Sequence, residues 1–93
     1  MFLVKLAERA EREFNKLPRT LQQKIFQRLK QLEINPFTLP IKKIKGTEFG
    51  YRLRVGRWRI LFGINFPKKQ IEVVDIFLKK GDQDYERRKF LLK

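Results

Sequence analysis

The stretch YRLRVGRWRILFG (51–63) places Arg52, Arg54, Arg57 and Arg59 within eight positions of an otherwise strand-like run. Guanidinium groups hold phosphate oxygens bidentately and keep their charge at every physiological pH. Four of them on so short a piece of chain suit a phosphodiester backbone. Lys42, Lys43 and Lys45 stand just upstream, and Lys79, Lys80 and Tyr85 follow further on. The upstream lysines would widen the patch along a nucleic-acid backbone, and Lys79, Lys80 and Tyr85 beside the arginines would complete a ring of cations with one phenol. Glu48 is the only acid between Lys42 and Arg59, so local carboxylates do not neutralise the group. The chain has no Cys and no His, which excludes thiolate nucleophiles, zinc–thiolate sites and the usual imidazole base. Asp82 and Asp84 are two carboxylates without a third ligand, and this is too few for a cation site.

The elements that must present these residues follow from the apolar pattern. A short apolar run, FLVKL (2–6), reads as a strand. From Ala7 the period changes: Ala7, Ala10, Phe14 and Leu17 recur at three or four and form one amphipathic helix. LPRT interrupts it, and Pro18 suits the first turn of a second helix. Leu21, Ile25, Leu29 and Leu32 make the second stripe, and Pro36 ends it by forcing the preceding residue out of the α region. Two helices so closely linked form an antiparallel hairpin. Residues 37–50 read as a mostly extended basic connection. Strands at 51–55 and 58–62 flank Gly56-Arg57, a two-residue loop of type II′. After a second turn at 65–70 comes a strand at 71–78, then a closing helix with Asp82 as its N-cap.

The Gly56-Arg57 turn sets the cross-strand partners. Val55 faces Trp58, Arg54 faces Arg59, Leu53 faces Ile60 and Tyr51 faces Phe62. Period-two alternation then puts Val55, Leu53, Tyr51, Trp58, Ile60 and Phe62 on the core side. Arg52, Arg54 and Arg59 share the opposite face. The alternative reading of that face is a solvated basic surface, since exposed cations are common on open sheets. Tyr85 and Phe49 are the candidate stacking surfaces for bases, whereas Trp58 belongs to the packing. The expected architecture is α+β: an N-terminal strand, a helical hairpin on one face of a curved, mainly antiparallel sheet, and a short C-terminal helix.

Composition agrees with one domain over residues 1–93. An apolar share of 42% with nine Phe is that of a globular chain. Against it stand 23 basic and 10 acidic residues, a net charge of +13. An excess of this size points to a polyanionic partner such as nucleic acid, an acidic protein or an anionic surface. The opening MFLVKLAERAER has too few apolar residues for a signal peptide or a membrane span, so a cytoplasmic location is expected.

The element order, the LP between the helices, IKKIKG before the sheet, YRLRVGRWRILF, and the trailing lysines with Tyr85 resemble the RelE/ParE toxin superfamily. The likeness covers nearly the whole chain and is most specific from Ile44 to Phe62. It implies the toxin of a type II toxin–antitoxin pair. RelE-like members are mRNA endoribonucleases that act in the ribosomal A site, without metal or other cofactor, by attack of the ribose 2′-hydroxyl on the adjoining phosphate. Carried over by position, their catalytic residues fall on Arg52, Arg54, Arg59, Lys80 and Tyr85. Lys42, Lys43, Lys45, Arg57 and Lys79 complete the RNA-binding set. Well-studied ribonuclease members carry lysines where this chain has Arg52 and Arg54, so the resemblance leaves proton acceptance to Lys80, Lys79 or Tyr85, or to the ribosome. ParE-like members share the fold and poison DNA gyrase, which is the alternative activity; a nucleic-acid-binding module without chemistry is the third. The resemblance further implies an antitoxin partner with an acidic or amphipathic segment, acting beside mRNA and ribosome and with no membrane.

Overall fold

The computed structural model describes residues 1–92. Five strands form one sheet: β1 (Leu3–Leu6), β2 (Ile41–Lys43), β3 (Gly50–Val55), β4 (Trp58–Asn65) and β5 (Gln70–Leu78). Their spatial order is β1-β5-β4-β3-β2. The three contacts among β2, β3, β4 and β5 are antiparallel, and β1 pairs with β5 in parallel. The stretch 37–50 is therefore less irregular than its prolines suggest. A 3₁₀ turn at Pro36–Thr38 leads into β2, which forms an edge of the sheet.

Helix α1 (Glu8–Asn15) and helix α2 (Arg19–Ile34) lie on one face. Pro18 stands immediately before α2, where its carbonyl accepts the Gln22 N–H at 2.9 Å. Asn35 is extended, at φ −163°, and ends α2 one residue before Pro36. Both predicted stripes enter the core: Ala10, Leu17, Ile25, Leu29 and Leu32 pack on Leu53, Val55, Ile60, Phe62, Ile64, Ile71, Val73 and Ile76. Trp58 and Tyr51 pack at the border of this cluster, as their strand phase requires.

The other face is only partly open. Ile44, Leu61, Val74 and Phe77 form a second, smaller core there, and Tyr85, Leu91 and Leu92 roof it. The cover is the closing segment, α3 (Gln83–Arg88) followed by a 3₁₀ turn (Lys89–Leu91). Apolar residues on both faces of β4 and β5 demand burial on both sides, and the chain's end supplies the second layer. A β-bulge between β4 and β5 leaves Val74 as the unpaired residue, which breaks strict alternation in VVDIF.

A candidate phosphate-binding face

The hairpin that carries the arginines is built by its turn. Gly56 has φ +60° while Arg57 keeps a negative φ. That combination is the II′ geometry, whose twist matches that of the flanking strands. The resulting register pairs Val55 with Trp58, Arg54 with Arg59, Leu53 with Ile60 and Tyr51 with Phe62. Arg52, Arg54 and Arg59 thus stand on the face away from α1 and α2. Register with β2 adds Lys42, directly opposite Arg52. Lys43 pairs with Tyr51 and so lies on the helix-covered side, exposed at the sheet edge. Alternation along β2 allows only one of the two adjacent lysines, Lys42, to share the arginine face. Lys45 lies past the end of β2, toward Gly50 and away from the hairpin turn. Arg57 is exposed at the turn itself.

Arg59 is the best-held member of the group. Its Nε–H donates to Tyr85 Oη at 3.1 Å, and Nη1 donates to the main-chain oxygens of Gly56 and Trp58, both at 2.9 Å. The turn and the phenol therefore aim one guanidinium. Arg52 donates to the Pro40 carbonyl at 3.2 Å, and Arg54 is exposed. Among the described residues no carboxylate lies within 4.0 Å of the charged nitrogens of Arg52, Arg54, Arg57 or Arg59. Their charge is left for an external anion.

Tyr85 and Lys79 close the ring. The Lys79 main-chain N–H donates to the Arg57 carbonyl at 3.0 Å, which ties the end of β5 to the hairpin turn. Its ammonium lies 5.6 Å from the centre of the Tyr85 ring and 3.3 Å from Asp82. Lys80 is exposed. Tyr85 packs edge-on to Phe77, with centroids 6.0 Å apart. Phe49, the other expected stacking surface, is far from this ring. It packs with Phe66 at 5.9 Å, beside the β4–β5 turn at the other end of the sheet. Asp82 makes no capping bond to α3 and stands in solvent. The carboxylate that shapes this loop is Asp84, whose Oδ2 accepts the N–H groups of Lys80 at 2.7 Å and Gly81 at 3.0 Å. Those bonds from Lys80 and Gly81, helped by Arg88 and Arg87 and opposed by burial, hold the Asp84 carboxyl below the usual aspartate range.

The family model that matches this sequence, over residues 4–85, is described as the ParE toxin of a type II toxin–antitoxin system, parDE. The chain belongs to this family. It is the toxin of a type II toxin–antitoxin system, in the RelE/ParE superfamily. Solved structures agree on the fold. The isolated E. coli RelE toxin superposes with a TM-score of 0.74 at 18% identity, over 99% of this chain and all of its own (100%). The toxin–antitoxin complex RelBE2 of Mycobacterium tuberculosis gives 0.75 at 18% identity, covering 84% and 98%. The RelB–RelE complex of Methanococcus jannaschii gives 0.67 at 25% identity, covering 78% and 87%. No curated protein matches the sequence.

Sequence reasoning passed over one group that borders the face. Asp75 is 1% exposed, and its Oδ2 accepts from Arg88 Nε at 2.6 Å and lies 3.4 Å from Arg9 Nη2. The signal was present: an acid inside the apolar run IEVVDIFL must be paired when that strand is buried on both faces. Arg88, at i+4 from Asp84, had the spacing of a helical ion pair.

Proposed function

We propose that this toxin is a metal-independent mRNA endoribonuclease acting on the ribosome and thereby inhibiting translation. One observation carries the reading: Arg59, aimed by Tyr85 and the hairpin turn, shares a face with Arg52, Arg54 and Lys42, and no carboxylate of the described residues answers the arginines. A group that must receive negative charge at phosphorus needs such unquenched, pre-positioned donors. In the proposed reaction a ribose 2′-hydroxyl loses its proton and its oxygen bonds to the adjoining phosphorus. The P–O5′ bond breaks, O5′ takes a proton, and the products are a 2′,3′-cyclic phosphate and a 5′-hydroxyl. Arg52, Arg54 and Arg59 stabilise the five-coordinate phosphorus. Arginine cannot release its proton, so proton transfer falls to Lys80, Lys79 or Tyr85. Lys42 and Arg57 hold neighbouring phosphates, which positions the strand without reading its sequence.

The partner that controls the toxin is, on this reading, an antitoxin with an acidic or amphipathic segment. The charge of +13 and the toxin–antitoxin complexes among the similar structures support it. The cytoplasm is the place of action. The matching family model, that of a ParE toxin, favours gyrase inhibition as the second reading. Purified toxin with ribosomes programmed by a defined message separates the two. The ribonuclease reading expects cuts at the A-site codon that vanish without ribosomes. Intact message, with gyrase trapped on cleaved DNA by the same preparation, would overturn it.

A further inference from the structure

We propose that Arg88 is a positioning residue, a clamp between Asp75 and Asp84 that sets the Lys79–Tyr85 segment against Arg59. The clamp deepens the ribonuclease reading and rests on it for its consequence in activity. It starts in the sheet. Asp75 Oδ1 accepts the Ile76 N–H at 2.9 Å, which fixes the carboxylate on β5. Its other oxygen receives Arg88 Nε at 2.6 Å. The second branch of the guanidinium, Nη1, donates to the Asp84 main-chain oxygen at 3.1 Å and lies 3.4 Å from Asp84 Oδ1. Asp84 in turn gathers the Lys80 and Gly81 N–H groups on Oδ2. The guanidinium carbon also lies 3.9 Å from the centre of the Phe77 ring, on which Tyr85 rests edge-on.

One side chain therefore touches the strand, the carboxylate that shapes the lysine loop, and the ring beneath the phenol. Helix α3 spans six residues, too short to hold its place by its own hydrogen bonds. A cation that meets Asp75 through Nε and Asp84 through Nη1 must be forked, and the single ammonium of lysine serves only one of the two well. Removing one partner of a buried ion pair strands the other charge and costs stability, a loss that Arg9, 3.4 Å from Asp75, offsets only in part. If the clamp were only structural, folded Arg88→Met would be less stable with kcat unchanged. If it positions the loop, the substitution leaves a folded protein with a misplaced site.

The test uses the purified toxin with Arg88→Met and Arg88→Lys. Hydrogen exchange of the Lys80 and Gly81 amides reports the loop directly, and kcat and KM for ribosome-programmed cleavage report the chemistry. The expected result for folded Arg88→Met is exchange of those two amides faster by about tenfold or more. With it goes a loss in kcat of roughly 10–100-fold, the scale of a small misplacement of catalytic groups, with KM changed little. Arg88→Lys recovers part of both. A folded Arg88→Met whose Lys80 and Gly81 amides are no faster relative to the other protected amides, or whose kcat is unchanged, overturns the clamp. Should Arg88→Met fail to fold, Asp84→Asn, which leaves the Asp75–Arg88 pair in place, is judged by the same two readouts. Should the wild-type toxin cut no RNA, the ribonuclease reading falls while amide exchange still decides the clamp: faster exchange supports it and unchanged exchange overturns it.

Discussion

Replacing Arg59 by alanine separates the chemistry of this face from its stability. Arg59 makes three hydrogen bonds: one to the Tyr85 phenol and two to carbonyls at the hairpin turn. Each such bond contributes roughly 0.5–1.5 kcal/mol net. Water reaches the exposed turn and replaces the lost donor there, and removing Arg59 also relieves its repulsion from Arg54 across the ladder. The net cost is therefore about 1–2 kcal/mol, which on a domain of this size lowers Tm by roughly 5–15 °C. The catalytic loss is larger. Removing one pre-positioned donor from a site of developing negative charge costs about 2.7–4 kcal/mol, or roughly 10²–10³ in kcat. Arg59→Ala is thus expected to be folded at 25 °C by circular dichroism, with cleavage on programmed ribosomes down at least a hundredfold. Full unfolding at that temperature would refute the face assignment. Cleavage within about fivefold of wild type would refute the role of the guanidinium.

Three further outcomes follow from the same geometry. Tyr85→Phe keeps the ring on Phe77 but removes the oxygen that accepts the Arg59 Nε–H, so kcat falls by about tenfold or more while Tm falls by only the few degrees that one hydrogen bond supports. RNA affinity depends on salt: if the arginine cluster neutralises the scissile phosphate and Lys42 and Arg57 one neighbour each, the slope of log K against log salt is about −2 for single strands, and Lys42→Ala lowers its magnitude by about 0.7, measured by fluorescence titration. Asp84 has a folded pKa below its unfolded value, so its contribution to stability is present above about pH 4 and is lost as pH falls through the lower folded value. Melting curves across pH 2–7 show that acid-side loss in the wild type, and Asp84→Asn reduces it.

The parts of this molecule that are local in sequence were legible in it. The β3–β4 register follows from Gly56-Arg57 alone, because a two-residue turn leaves no freedom in pairing, and period two then sorts the arginines from the core. Helix α2 ends where Pro36 requires. What stayed hidden depends on partners distant in the chain. The parallel pairing of β1 with β5 joins residues more than sixty positions apart, and no local pattern encodes it. The second apolar cluster has no local signature, because Leu61, Val74 and Phe77 sit in runs that look equally at home in one core. The choice between Asp82 and Asp84 turns on which carboxylate meets the Lys80 and Gly81 amides, and that is decided by Arg88 and Asp75 holding α3 in place. Lys43 parted from Lys42 because residues 41–43 are a strand and not an extended tether.

The central claim is that the arginine face drives scission by 2′-hydroxyl attack, and the chemistry of the cut ends tests it most directly. Transcripts from cells briefly expressing the toxin would be sorted by their termini, beside cells expressing Arg59→Ala. The account predicts new 5′-hydroxyl ends in codon phase, matched by 2′,3′-cyclic phosphates upstream, and their absence with Arg59→Ala. New ends bearing 5′-phosphate, or intact transcripts together with gyrase-linked DNA breaks, would contradict it.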